Sequence, residues 1–513
     1  MDICLVTLNS TYQHTAVGLR YLYANLGPLQ NRAEIREFVI QKSPHEIAGQ
    51  ILLRNPRIVG FGVYIWNTDQ TRAVIEILKE RMPQLKIIIG GPEVSFESET
   101  QEICQISDFV IKGEADFLFR ELCGLLLNES PAPQKFISGT LPEIINIKSP
   151  YAYFTDEDIK NRIIYVEASR GCPYKCEYCL SSLDKSVRNF PIDPFLQDLQ
   201  ALIDRGGRQF KFLDRTFNLS PSISTRILKF FLDQIHLGLF LHFEMVPDRL
   251  PPELKDLIQK FPSGSLQFEI GVQTLNPAVA ALVSRKNDLQ KVKENLHFLH
   301  TQTGVHTHVD LIAGLPGEDL KSFAAGFDLL LSFGPDEIQL GILKRLKGIP
   351  IVRHDVEWQM KYDPKPPFQV QSTKNMDAET LEKMQIMARF WDQIANSGNF
   401  SATWKALREY FHQKDLSPFY WYWDFSQFLA KRFQRTHSIA LPALFEGVLE
   451  YLRTSGYWDN KTLLELLGQD YHQGGRRTLP KFLYQEGRER SRLSPNPSSS
   501  TPQRQRRHLQ NSE

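Results

Sequence analysis

The densest run of reactive side chains is Ser169-Arg170-Gly171-Cys172-Pro173-Tyr174-Lys175-Cys176-Glu177-Tyr178-Cys179. Three cysteines stand at C-x3-C-x2-C spacing on a stretch kept open by Gly171 and Pro173. Thiolates are the usual protein ligands of iron–sulfur clusters, and a cubane has four irons to bind. Three ligands leave one iron without a protein donor, a position where a substrate or cofactor can coordinate. A structural zinc site needs a fourth Cys or His at suitable spacing. The next candidate, His236, lies far away at the end of a different predicted helix. Unrelated buried cysteines are the plain alternative, and three within eight residues on a predicted strand-to-helix loop argue against it. Cys4, Cys104 and Cys123 are scattered over predicted core elements.

This loop follows the first strand of a β/α series whose apolar, β-branched runs predict strands over 163–168, 209–213, 239–245, 266–272, 307–312 and 337–343. Six such units imply an open or partial barrel. An earlier series predicts strands over 2–8, 34–40, 57–65, 86–89 and 108–111, with helices over 16–26, 45–53, 71–81 and 115–127. That alternation implies a doubly wound parallel sheet, which takes its ligand at the C-terminal strand ends. Those ends read Asn9-Ser10-Thr11, Trp66-Asn67-Thr68 and Gly90-Gly91-Pro92. The fold class is therefore α/β, with domains expected at 1–130 and 162–350 joined by a linker over 131–161. Six of the seven tryptophans fall after Pro350, among long helical periods, so a helical domain is expected over 351–485. Ser417-Pro-Phe-Tyr-Trp-Tyr-Trp-Asp-Phe425 reads there as helical core or domain interface in preference to a substrate pocket. Residues 486–513, rich in Ser, Pro, Gln and Arg, read as a disordered tail.

The 513 residues are 42% hydrophobic and 23% charged, the profile of a soluble globular chain. Its 60 basic and 59 acidic residues argue against a nucleic-acid or membrane-surface binder. The tail carries +3, so the rest of the chain is at −2. No apolar run suits a membrane span, and the start, MDICLVTLNSTYQ, has no basic n-region of a signal peptide. A reducing cytoplasmic setting is expected, with no disulfide framework.

Cys172-x3-Cys176-x2-Cys179, with aromatic Tyr178 before the last cysteine, resembles the signature of the radical S-adenosylmethionine (SAM) enzymes. The resemblance covers roughly 162–350. It includes Lys211-Phe-Leu-Asp-Arg-Thr-Phe217, Gln267-Phe-Glu-Ile-Gly-Val-Gln273, His308-Val-Asp-Leu-Ile-Ala-Gly-Leu-Pro-Gly-Glu318 and Leu340-Gly-Ile-Leu-Lys-Arg-Leu-Lys-Gly-Ile-Pro350. It implies that Cys172, Cys176 and Cys179 hold a [4Fe–4S] cluster whose open iron is chelated by SAM, which electron transfer then cleaves to a 5′-deoxyadenosyl radical. It implies that Tyr178 lies against the adenine, and that backbone near Asp214 meets the SAM amino group. One departure is the replacement of the family's Gly-Gly-Glu run by Asp214-Arg215-Thr216. Glu244, Glu269 and Asp310 read equally as a barrel-interior network or as ligand contacts.

The first domain resembles the cobalamin-binding domain that precedes the catalytic core in one branch of these enzymes. The matching stretches are Tyr12-Gln-His-Thr-Ala-Val-Gly-Leu-Arg-Tyr-Leu22, Val59-Gly-Phe-Gly-Val-Tyr-Ile-Trp-Asn67, Ile87-Ile-Ile-Gly-Gly-Pro-Glu93 and Ile111-Lys-Gly-Glu114. It implies that cobalamin binds near Asn67, Gly90 and Gly91, where paired glycines let backbone approach a flat corrin and its nucleotide tail. His14 departs from the Asp-x-His-x-x-Gly pattern of an axial cobalt ligand, since Tyr12 precedes it and Gly18 comes four residues later. A phosphate-receiver reading fails because Leu8-Asn9-Ser10 lacks the acidic cluster, and a dinucleotide reading fails because Gly60-Phe-Gly62 has no third glycine. The C-terminal domain resembles one found after such domains in bacterial proteins. The expectation is a radical SAM enzyme that, with cobalamin, methylates or otherwise modifies an unknown small-molecule, peptide or lipid substrate. An external electron donor of flavodoxin or ferredoxin type is implied. A cobalamin-free radical enzyme, or an iron–sulfur and corrin sensor without turnover, stands as the alternative.

Overall fold

Seven consecutive residues of the first strand, β1 (Ile3–Asn9), are buried, which marks a central strand covered on both faces. A computed structural model describes residues 1–131, 133–473, 480–483 and 502–509. The chain forms two compact units. The first is Met1–Arg215 with Lys344–Arg353 and Tyr362–Gln369; the second is Thr216–Leu343 with His354–Lys361 and Val370–Glu513.

In the first unit β1 pairs in parallel with β2 (Ala33–Val39) and β3 (Ile58–Gly62), and β4 (Lys86–Gly90), β5 (Phe109–Lys112) and β6 (Phe136–Ser138) extend the sheet. The order β2-β1-β3-β4-β5-β6 reverses direction at β1. Successive crossovers leave opposite faces there, so the C-terminal ends of β1 and β3 open a crevice. Cys4 and Cys104 lie in the apolar core on one face of the sheet, and Cys123 in the core on the other. β6 falls in the stretch expected to be a linker. Its three residues are too few to show a period, yet Lys135 O accepts from Val110 N at 2.8 Å and Phe136 pairs with Val110. The same stretch continues into a capped helix, Asp156–Asn161. There Asp158 and Glu37 share the buried guanidinium of Arg20.

β7 (Ile164–Val166) opens the second series, and the chain then forms a two-residue antiparallel ladder, β8 (Ser169–Arg170) with β9 (Arg188–Asn189). β10 (Gln209–Phe212) pairs in parallel with β7. In the second unit β11 (Phe240–Met245), β12 (Leu266–Gln273), β13 (His306–Ala313) and β14 (Glu337–Ile342) form a parallel array in the order β14-β13-β12-β11. Burial alternates along β12 and β13, which sets apolar residues such as Phe268 and Val309 on one face and Glu269 and Asp310 on the other. The six β/α units expected from the sequence are therefore present in chain order.

Five long helices follow, Ala378–Gln393, Ser401–Lys414, Pro418–Phe433, Leu441–Ser455 and Asn460–Gln473. The aromatic run of 417–425 serves as core. Tyr422 is fully buried, donates to Phe390 O at 2.9 Å and meets Trp391 edge-on at 4.8 Å. The expected disordered tail is corrected where the chain is described. Gln503–Leu509 is a helix set against the N-terminal ends of β12 and β14, because Arg504 finds Glu337 and Asp392, each at 2.7 Å, and Gln505 bonds Gln267. Residues 484–501 and 510–513 lie outside the described residues.

Gly91 shows how tightly the β4 end is built. Its φ is +116°, and a Cβ there would stand 2.4 Å from Val63 O. Gly91→Ala should therefore destabilise the chain by about 3 kcal/mol from strain and overlap. A melting temperature equal to that of the unsubstituted chain would contradict this packing.

Candidate functional site

The β8–β9 ladder closes a loop over 171–187 that carries all three spaced cysteines. Cys172 and Cys176 are buried and Cys179 is half-buried. Gly171 is obligatory at the stem, because at φ +90° a Cβ would lie 1.9 Å from Ser186 O. Cys172 N donates to Asp184 O and Cys179 N to Cys176 O, both at 3.1 Å, so main-chain bonds hold the loop. Among the described residues no three His, Cys, Asp or Glu side chains converge on a point that would hold one metal ion. Three thiolates carried on one loop are the donor set a cubane takes, one sulfur to each of three irons. The other cysteines differ in chemistry. Burial pushes the thiol of Cys4 up to about 12 and that of Cys104 to about 11, and raises that of Cys123 as well, as for inert core thiols.

A strap of chain from the same unit braces this loop. Glu177, buried between Cys176 and Tyr178, receives Arg353 Nε and Nη2 at 2.7 and 2.6 Å, and its carbonyl receives Ile351 N at 3.1 Å. The strap is held at its other end by Glu97, which accepts from Arg345 Nη1 and Gly348 N, both at 3.2 Å. Tyr178 is half-buried beside this brace. Asp214 is buried at the end of β10, where its carboxylate accepts from Ala168 N at 2.9 Å and from Ser169 Oγ at 2.5 Å. Its side chain thus fixes the strand end that leads into the cysteines.

The crevice predicted by the strand order is a cleft of about 180 Å³ lined by Gly18, Gly60, Gly62, Gly90, Gly91 and Gly113, with Tyr64, Glu114, Asp116 and Arg170 on its walls. A Cβ on Gly113 would meet nothing within 4 Å, and one on Gly90 only Ile111 O at 3.4 Å, so bare backbone faces open space. Such a surface fits a broad, flat ligand or its narrow appendage. Asn67 is buried behind it. Its amide donates to Leu8 O and Gly62 O, both at 3.1 Å, and accepts from Tyr64 N at 2.8 Å. Asn67 thus ties the ends of β1 and β3 together. His14 is also engaged, with Nδ1 2.7 Å from Tyr165 Oη. Burial, then the charges of Lys211 and Arg162, keep its ring below the ordinary histidine value.

The sequence reading missed the group that links cleft and loop. Arg170 lines the cleft two residues before Cys172. Its guanidinium is 2.9 Å from Glu114, Asp116 and Glu167, and it lies over Tyr21 at 4.7 Å. Arg188, on the other stem strand, also bonds Glu114. Glu114 and Arg170 both stand in stretches singled out for other reasons; that they pair over 56 residues leaves no local signal. Of the three barrel acids, Glu269 lies 3.0 Å from His242 Nε2, and Asp310 is 3.9 Å from His308. Each of those two has a histidine beside it on the polar face of the strands.

Comparison with known proteins agrees with this layout. Residues 3–123 match the B12 binding domain, 166–330 the Radical SAM superfamily and 356–511 a family described as Protein of unknown function (DUF4080). This chain is a radical SAM protein with a B12-binding domain. Its relatives include the cobalamin-dependent radical SAM methyltransferase TokK of Streptomyces tokunonensis, 22% identical over 77% of this chain and 61% of TokK. Another is the 2-(S-pantetheinyl)-carbapenam-3-carboxylate methyltransferase of Streptantibioticus cattleyicolor, 23% identical over 56% of this chain and 46% of that enzyme. The chain thus spans less than two thirds of these curated relatives. The fold of this radical SAM protein is shared with the methyltransferase TsrM of Kitasatospora setae, solved with cobalamin and a [4Fe–4S] cluster, at a TM-score of 0.57 and 14% identity over 72% of this chain and 82% of TsrM. The cofactors that go with the two matched domains are a [4Fe–4S] cluster, SAM and cobalamin.

Burial pushes the Asp214 carboxyl up to about 7, against the opposing bonds from Ser169 and Ala168. A raised carboxyl favours the neutral form in the fold, so its contribution is complete below the ordinary value of 3.8 and is lost as pH rises toward about 7. Asp214→Asn, neutral throughout, should flatten the fall of melting temperature over that window. An unchanged slope would show that Asp214 is ionised in the fold.

Proposed function

We propose that this chain is a cobalamin-dependent radical SAM methyltransferase acting on an unreactive carbon or phosphorus centre. The observation that carries the reading is the shared wall: Arg170 lines the glycine cleft and begins the cysteine loop. Cys172, Cys176 and Cys179 would ligate the cluster, with Tyr178 flanking the adenine of SAM. Asp214 orders the strand end whose main chain meets the SAM amino group. Gly90 and Gly113 give the corrin or its tail close access to backbone, Gly91 shapes the turn between them, and Asn67 holds the strand ends beneath. His14, committed to Tyr165, is not the cobalt ligand in this reading. When bound, these groups supply reductive cleavage of SAM and transfer of a methyl group. The protein's part is to hold them at fixed separation and keep water away. Reduction calls for an external donor of flavodoxin or ferredoxin class. Among the described residues no helix is long and apolar enough to cross a membrane.

Anaerobically reconstituted protein given a strong reductant and SAM should release both 5′-deoxyadenosine and S-adenosylhomocysteine, and Cys172→Ala should lose the cluster absorbance and both products. 5′-Deoxyadenosine alone would point to non-methylating radical chemistry. Neither product from a loaded protein would favour a sensor.

Gly90→Val separates ligand space from folding, because a Cβ at this position meets only Ile111 O. The variant should keep its cluster and melting behaviour while retaining cobalamin at least about ten-fold less well after desalting, the effect of about 1.4 kcal/mol of overpacking in the cleft. Unchanged corrin absorbance would place the ligand elsewhere.

A further inference from the structure

We infer that Glu114 is a positioning residue through which occupancy of the glycine cleft and assembly of the cysteine loop are energetically coupled. The inference rests on the cobalamin reading above and concerns what this chain's own residues do about it. Glu114 follows Gly113, whose bare backbone faces the cleft at φ +76°, and its side chain is part of the cleft wall. Its carboxylate bonds both stem strands of the loop, and Oε2 accepts from each of the two arginines. Oε2 accepts from Arg170 Nη1 at 2.9 Å, and Oε1 accepts from Arg188 Nη2. Arg170 and Arg188 face each other in the ladder that closes the loop. Both stems are therefore registered on one side chain of the B12-binding domain.

The surroundings make this contact stiff. Glu114 is 20% exposed, Arg170 13% and Arg188 17%, so water screens the charges little. Asp116, from the same strand-end segment, adds a second contact to Arg170 at 2.9 Å, and Glu167, from the end of β7, takes its Nε at 2.9 Å. Asp184, inside the loop, takes Arg188 at 3.1 Å and presents its carbonyl to Cys172 N. A continuous chain of polar contacts thus runs from the cleft wall through Glu114, Arg188 and Asp184 to the first cysteine. A ligand that packs on 113–116 fixes Glu114, and Glu114 fixes the stems. Assembly of the loop around its cluster fixes Glu114 from the other side. Two events that order the same carboxylate must favour each other by the same factor.

Reciprocity supplies a test that needs no turnover. The dissociation constant of hydroxocobalamin is measured by absorbance with the full chain, cluster-free and with the cluster reconstituted. In the unsubstituted protein the two values should differ by about five-fold or more, binding being tighter with the cluster present. In Glu114→Gln both forms should still bind, and the ratio should fall to near one. A residue that merely shaped the cleft would weaken both values alike and leave the ratio intact, so an intact ratio overturns the inference. Glu114→Asp, which keeps the charge, should restore part of the ratio. Should Glu114→Gln fail to fold, Arg188→Gln removes one stem contact and leaves Glu114 bound to Arg170; a ratio reduced but above one supports the inference, and an unchanged ratio overturns it. Equal values in the unsubstituted protein also overturn it while leaving the cobalamin reading in place. No hydroxocobalamin bound in either form defeats that reading, and the inference with it.

Discussion

A guanidinium that is nearly buried must be neutralised where it lies, because moving it out of water costs several kcal/mol unless carboxylates surround it. Arg170 meets that demand with Glu114 and Asp116 from the first sheet and Glu167 from the strand that leads into the cysteines. The result is a junction that cannot slide. Displacing either side by a few ångströms would leave charge uncompensated at low dielectric, a far larger penalty than the loss of one apolar contact. An apolar contact between the cleft wall and the loop stems would hold them with less directional control.

Glycine meets two separate demands around the cleft and the loop beside it. At Gly91 and Gly171 the main chain passes so near another carbonyl that no side chain fits, and positive φ adds a second barrier. At Gly90 and Gly113 the adjoining space is open or nearly so. Only the second kind speaks to a ligand. The paired Gly90-Gly91 therefore divides its labour, one residue shaping the turn and its neighbour leaving the surface bare.

The strands were legible because they are long, apolar and β-branched. β1, β3 and β12 lie close to where periodicity set them, and the three cysteines share one loop because their spacing is local. Contacts across large sequence gaps had no such signal. Asn67 looked like a rim residue for a ligand, yet its amide joins two strand ends. Asp214 stood in a stretch whose main chain was expected to meet SAM, and nothing local foretold that its side chain bonds Ala168 and Ser169. Glu177, held by Arg353, and Glu114, held by two arginines, were inside stretches already picked out, with nothing local to name their partners. β6 was lost because three residues cannot show an alternation.

Composition was a poor guide at the far end of the chain. Ser, Pro, Gln and Arg in 486–513 have the look of solvated polymer, yet Arg504 supplies a cation beside a carboxylate, Glu337, that is 4% exposed and otherwise paired with His306. A shortened version cut at 485, the kind of boundary that composition recommends, would strip that cation from the floor of β14.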